Sequence, residues 1–285
     1  MTPPAAPQAH EHPQPELPHG VLGYYESPIP IRRATLGDAI ASEWTKIRSV
    51  RSTMWTLGVM IVLMVAIGLM SALLVATADS DLGGVPVVSL GFFGVLLGSI
   101  CVITLGVLTI GSEYSTGMIR TTLTACPSRA RVLTAKAIVF SLVTFVITTV
   151  TATVVAALQT VILGGGVDPG EVWLRVTVGV GLYMAGLGLV SLAVGAVVRH
   201  SAGAITIMIA MVLLPLVLAL FMFADSLRGV QRFLFEYSIP NQLAGLYGTG
   251  VTESSPSGWE PLLVMVGTAA VAMGAAFLAL EQRDV

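Results

Sequence analysis

Six stretches of this 285-residue chain contain no Asp, Glu, Lys, Arg or His: 52–78, 82–112, 137–167, 176–198, 201–224 and 261–280. The shortest has 20 residues and the longest 31. A helix rises about 1.5 Å per residue, so roughly 20 apolar residues cross a hydrocarbon core of about 30 Å. Each stretch is long enough to span once and too short to span twice. Membrane barrel strands would instead alternate polar and apolar residues over about ten positions. Six buried helices of a water-soluble protein would need a charged shell, and only 11% of the residues are charged, against roughly 25% in ordinary soluble domains. The expected fold is an all-α integral membrane protein with six transmembrane helices, near 54–77, 87–111, 138–163, 176–198, 202–224 and 261–280. The transmembrane domain runs from 52 to 285.

The charges that remain set the orientation. With the N-terminus in the cytoplasm, the inner segments carry Arg32, Arg33, Lys46, Arg48, Arg51, Arg120, Arg129, Arg131, Lys136, Arg199 and Arg283. The outer segments carry Arg175, Arg228 and Arg232. Eleven against three satisfies the positive-inside rule and puts both termini in the cytoplasm of a plasma-membrane protein. A net charge of -2 without a dense basic patch argues against nucleic acid as a partner.

Residues 1–33 are polar and hold eight of the 15 prolines and three of the four histidines. They read as a disordered cytoplasmic tail, not a cleavable signal peptide, because no apolar core precedes a cleavage site. His10, Glu11 and His12 lack the further ligands of a closed metal set. Cys101 and Cys126 read as reduced and unpaired.

Three segments outside the spans carry information. Residues 34–51 read as an interfacial amphipathic helix. Thr35 and Asp38 have the spacing of a capping box. Leu36, Ile40, Trp44, Ile47 and Val50 recur at helical spacing, with Glu43, Lys46, Arg48 and Arg51 mostly on the other faces. That places Trp44 at headgroup level. The inner loop 113–136 is the longest on its side and holds Arg120, Arg129, Arg131 and Lys136. Gly117 allows a turn and Pro127 breaks the segment, giving a short helix and a broken turn. Two readings stand: a loop that only satisfies the orientation rule, or a lever against a soluble partner. The outer loop 225–260 carries an aromatic patch, Phe233, Leu234, Phe235, Tyr237 and Ile239, suited to packing over helix ends. Within the spans, Pro215 should kink the fifth helix, and the pairs Ser191–Gly195 and Ala270–Gly274 should let helices approach closely.

No ionisable residue is expected deep in a span, which argues against an ion-coupled relay. The sequence has no HExxH and no GxSxG motif, so no hydrolase machinery is legible and no enzyme activity is expected. A phosphate-binding loop needs Gly-Lys-Ser/Thr, whereas Lys46 precedes Ile47 and Lys136 precedes Ala137, and these are the only lysines.

Three places carry a resemblance to a known family. Glu43 to Thr53, Glu-Trp-Thr-Lys-Ile-Arg-Ser-Val-Arg-Ser-Thr, leads into the first span. Ser112 to Arg120, Ser-Glu-Tyr-Ser-Thr-Gly-Met-Ile-Arg, is followed by Pro127, Arg129 and Lys136. Arg283-Asp284 lies at the close. Together they resemble the permease subunit of a type-2 ATP-binding-cassette exporter of the kind common in actinobacteria. The resemblance covers about Leu36 to the end and leaves out the Pro/His-rich tail.

The resemblance implies an efflux transporter in which two permease copies, identical or different, pair in the lipid bilayer around a path. Each docks a cytosolic ATPase that binds ATP and Mg, while this chain binds no cofactor and no metal. By the same resemblance Glu113, Tyr114, Gly117, Arg120 and Pro127 shape an ATPase-coupling segment, which Arg129 and Lys136 anchor at the surface. Glu43, Trp44, Lys46, Arg48 and Arg51 belong to the flanking interfacial helix, and the resemblance implies that Glu43, Lys46 and Arg48 pair with that segment or with the ATPase. Glu113 is expected to pair with Arg120 or with a cation of that helix. The alternatives are a membrane scaffold or sensor that binds a cytosolic partner without transport, and a secondary transporter.

Overall fold

The computed structural model describes residues 34–78, 83–164, 170–250 and 254–282. The expected tail, 1–33, the Arg283-Asp284 pair and part of the outer loop, 251–253, lie outside them. Among the described residues every regular element is helical.

Helix α1, Leu36–Ser49, starts at the expected capping box. The Thr35 hydroxyl accepts from the Asp38 amide at 3.3 Å, and the Thr35 amide donates to Asp38 Oδ2 at 2.9 Å. Val50 is extended, and α2, Arg51–Thr77, begins at once. A 3₁₀ turn, Val87–Gly91, feeds α3, Phe92–Ser115. Gly117, at φ +73°, reverses the chain into α4, Met118–Ala125. Only glycine enters that backbone region without strain.

Helix α5, Arg129–Leu163, has 35 residues and is capped by the Ser128 hydroxyl. At about 52 Å it is longer than a bilayer core requires. It begins nine residues before the expected span, so its first turns stand alongside α1 and α4. The fourth span is composite. Helix α6, Gly170–Leu174, passes through a π turn, Arg175–Gly179, into α7, Val180–Val198. Helix α8, Ser201–Phe221, runs unbroken past Pro215. Two short helices, α9, Arg228–Glu236, and α10, Ile239–Leu246, precede α11, Glu260–Gln282.

Six of these helical runs are long and apolar enough to cross a membrane, so the chain is an all-α multi-pass membrane protein. Helix α7 forms its centre, with α3, α5, α8 and α11 packed against it. Small residues set the closest contacts. A β-carbon on Gly106 would lie 2.7 Å from the Gly188 carbonyl oxygen, and one on Gly195 would lie 3.0 Å from that of Val107. Backbone therefore meets backbone between α3 and α7, as the Ser191–Gly195 pair suggested. The Ala270–Gly274 expectation is corrected: both are exposed, Gly274 faces open space, and the buried stripe of α11 is Met265, Ala269, Ala276 and Leu280.

The end of the bundle away from α1 is closed by α10. Arg175, on the π turn, donates through Nε to the Leu246 carbonyl at 2.8 Å. Leu243, Leu246 and Tyr247 are buried beneath this closure. The aromatic patch expected there divides. Ile239 packs towards the core, while Phe233 and Tyr237 stay exposed with their rings 4.8 Å apart.

Candidate functional site

The two segments singled out before the first span and after the second are far apart in sequence, and folding joins them. At the α1 end of the bundle, two carboxylates and two ammonium groups form a closed cluster. Glu43 comes from α1, Glu113 from the last turn of α3, Lys46 from α1 and Lys136 from α5. Both lysines of the chain are used.

Lys136 is completely enclosed, its side chain 0% exposed. It donates to Glu43 Oε2 at 2.9 Å, to Glu113 Oε1 at 2.7 Å and to the Thr109 carbonyl at 3.3 Å. An ammonium group has three protons, and here all three are taken. Lys46, at the rim, reaches Glu43 Oε1 and Glu113 Oε1, each at 2.7 Å. Burial alone would lower the Lys46 pKa. The hydrogen bonds and charges of Glu113 and Glu43 outweigh that effect and hold it above its ordinary value of 10.5. The four charges cancel, which is the condition under which ions persist in a low-dielectric interior.

The cluster also has a defect. Glu113 Oε1 receives both lysines, while Oε2 is buried without a hydrogen-bond partner. Leaving a buried polar atom unsatisfied costs about 1–3 kcal/mol, more when it is charged. Beside it lies a cavity of about 230 Å³ between α1, α2, α3 and α5.

Arginines extend the bracing. Arg131 donates to the Ala34 carbonyl at 2.6 Å and fixes the start of α1 to α5. Arg129 donates to the Leu280 carbonyl at 2.8 Å and satisfies an orphan acceptor in the last turn of α11. The Arg199 guanidinium lies over the Tyr114 ring, 5.2 Å from its centre, joining the end of α3 to the turn between α7 and α8. Arg199 holds φ +58°, uncommon for a residue with a side chain.

Several sequence expectations change here. Lys136 does not anchor a loop at the surface. It lies two turns inside α5, on the bundle-facing stripe with Leu133, Val139 and Phe140. Charges therefore do enter the ends of the spanning helices, where they neutralise one another. Of the two ion-pair options for Glu113, the helix cation Lys46 is realised, with Lys136 added, while Arg120 is exposed and in no ion pair among the described residues. Helix α1 differs from the expected one in the face that holds Glu43. Glu43 and Ile47 form its buried edge and Trp44 is 45% exposed. Pro127, Arg48 and Arg51 are exposed as well.

Arg131 escaped the sequence reading, and Glu43, expected to pair with the coupling segment or the ATPase, was set on the wrong face. The role of Glu43 was legible: it lies three residues after Ile40 and four before Ile47, inside the apolar stripe instead of opposite it. Arg131 had no comparable signal, since its acceptor is a backbone carbonyl 97 residues away. No model of a known protein family matches this chain, and no curated protein is significantly similar to it.

Proposed function

We propose that the chain is the permease subunit of an ATP-binding-cassette exporter, driven by a separate cytosolic ATPase. The observation that carries this reading is the buried quartet. It ties α1, the end of α3 and the start of α5 into one charge-locked unit beside α4. These are the segments that the sequence resemblance marks as the flanking helix and the coupling segment.

A lever must be stiff within itself and presented to its partner. Stiffness comes from the quartet and from Arg131. Presentation comes from α4, held between the Gly117 reversal and the break at Cys126–Ser128, with Arg120 exposed and Met118 48% exposed. Between α1, α4 and α5 lies a groove of about 320 Å³, bordered by Asp38, Ser42, Met118, Thr121 and Thr122. On this reading the groove and the exposed face of α4 receive the ATPase at the cytoplasmic side of the plasma membrane. Nucleotide-driven movement of the ATPase then shifts α3 and α5 together. A second permease copy completes the path, and lipid covers the remaining apolar faces. The chain lacks the Gly-Lys-Ser/Thr sequence of a phosphate-binding loop, so on this reading ATP is bound by the separate ATPase.

The test is reconstitution of the full chain with an ATP-binding-cassette ATPase recovered with it from its native membranes. Arg120→Ala should leave the protein folded, with ATP hydrolysis continuing and transport lost. ATP-dependent transport unchanged by Arg120→Ala would reject α4 as the coupling surface. Flux driven by an ion gradient without ATP would reject the reading altogether.

A further inference from the structure

The elbow between α1 and α2 exposes charge that nothing in the chain takes up. Arg48 stands in the last turn of α1 and Arg51 is the first residue of α2, with extended Val50 between them. Both arginines are exposed, and neither enters an ion pair or a side-chain hydrogen bond among the described residues. The acids of α1 are spent elsewhere, Asp38 in the capping box and Glu43 in the quartet. The first turn of α2 has no acidic residue. Two guanidinium charges are therefore left without a counter-ion.

Aromatic side chains frame the pair. Trp44 lies one helical turn before Arg48, and Trp55 one turn after Arg51, so each arginine shares a helix face with a tryptophan. Trp55 is 75% exposed, and with Met54 it runs into the outward stripe of α2, Val59 and Val62. The length of α2 sets the depth. From Trp55 to Thr77 the helix rises about 33 Å, which fills a hydrocarbon core of about 30 Å. Trp55 then sits at the hydrocarbon boundary, where tryptophan is favoured. Arg51 lies about 6 Å further out, within the headgroup layer. Guanidinium groups match phosphate oxygens in a bidentate fork. Charge narrows the lipid. A phosphatidylcholine phosphate is already balanced by its own ammonium group, whereas an anionic phospholipid brings the charge that the elbow lacks.

We propose that the α1–α2 elbow is a recognition site for an anionic phospholipid of the leaflet on the α1 side. Arg48 and Arg51 take its phosphate, and the top of its acyl chain lies along Met54 and Trp55. The bound lipid tethers to the membrane the same helix that supplies Glu43 and Lys46 to the quartet. The site stands whether or not the chain is a transporter subunit.

The experiment uses the full chain alone, without any ATPase, in phosphatidylcholine nanodiscs. A trace of phosphatidylglycerol with a diazirine at the top of one acyl chain is photolysed, and the labelled peptides are mapped. Labels are expected at the start of α2, on Met54 and Trp55, and unlabelled phosphatidylglycerol should compete. Glycerol phosphate in solution, which brings the phosphate without the chain, should not compete. Arg48→Gln and Arg51→Gln should each weaken labelling about fivefold, and the double variant about thirtyfold. Arg228→Gln with Arg232→Gln, at the other end of the bundle, should leave labelling unchanged. All four arginines are exposed, so thermal melts should match wild type. A phosphatidylcholine probe that labels Met54 and Trp55 equally well would overturn the selectivity, and that comparison needs no variant. Labelling unchanged in the folded double variant, or lost equally in the Arg228 and Arg232 variant, would overturn the site. Full competition by glycerol phosphate would overturn the lipid as its ligand.

Discussion

Replacing Lys136 by Met removes the most enclosed charge in the protein while keeping a long, flexible apolar side chain. Three hydrogen bonds vanish, to Glu43, Glu113 and the Thr109 carbonyl. Two buried carboxylates are left sharing Lys46 alone, with a local charge of -1. Removing one member of a buried ion pair costs about 3–5 kcal/mol, because the surviving charge keeps its desolvation penalty and loses its compensation. For a domain of this size about 1 kcal/mol moves Tm by roughly 2–4 °C, so Lys136→Met should unfold roughly 6–20 °C below wild type in detergent. Glu113→Gln alone leaves the opposite imbalance and should be destabilising in its own right. In the double variant the charges cancel again, Lys46 against Glu43. The two losses should therefore fall short of additivity by about 0.5–3 kcal/mol, the range for residues in direct contact. The assay is thermal unfolding of the four proteins of the cycle, purified in one detergent. Strictly additive losses, or a Lys136→Met variant as stable as wild type, would refute the view that the quartet holds this end together.

Other consequences follow from the same geometry. The folded Lys46 pKa lies above its ordinary 10.5, so the stability it contributes is complete below 10.5 and is lost as pH rises through the folded value; Lys46→Met should flatten the alkaline limb of a stability–pH curve. Gly106→Leu places side-chain atoms where a β-carbon already meets the Gly188 carbonyl at 2.7 Å; a loss of about 1–3 kcal/mol is expected, whereas Gly274→Leu, in open space, should be near neutral in the same melt. Gly117→Ala forces a β-carbon into the left-handed region and should cost about 1–2 kcal/mol, read by the same measurement.

The spans were legible in the sequence because membrane crossing is decided by the absence of charge over some twenty residues, which any one chain displays. The capping box at Thr35 and the α3–α7 contact through Gly195 were legible for a similar reason, since both follow from local spacing. Lys136 was misplaced because a lysine just before an apolar run looks like a surface anchor. Only the partners, Glu43 at 93 residues' separation and Glu113 at 23, convert it into an interior ion. Glu43 was set on the wrong face for a related reason: two ammonium groups of the bundle hold it on the buried edge of α1. Ala270–Gly274 had the spacing of a packing motif and no neighbour opposite it, which pattern alone does not reveal.

The central claim, that this chain lends a path and borrows its energy through the α1–α4–α5 end, has one direct test. The full chain is isolated in mild detergent from membranes of its native cell, and the eluate is assayed for ATP hydrolysis. The account predicts an ATPase subunit in stoichiometric amount, with hydrolysis that disappears from the eluate when the exposed face of α4 is altered by Met118→Asp together with Arg120→Glu. A folded protein that elutes without any ATPase, or one whose associated hydrolysis is indifferent to those changes, would contradict it.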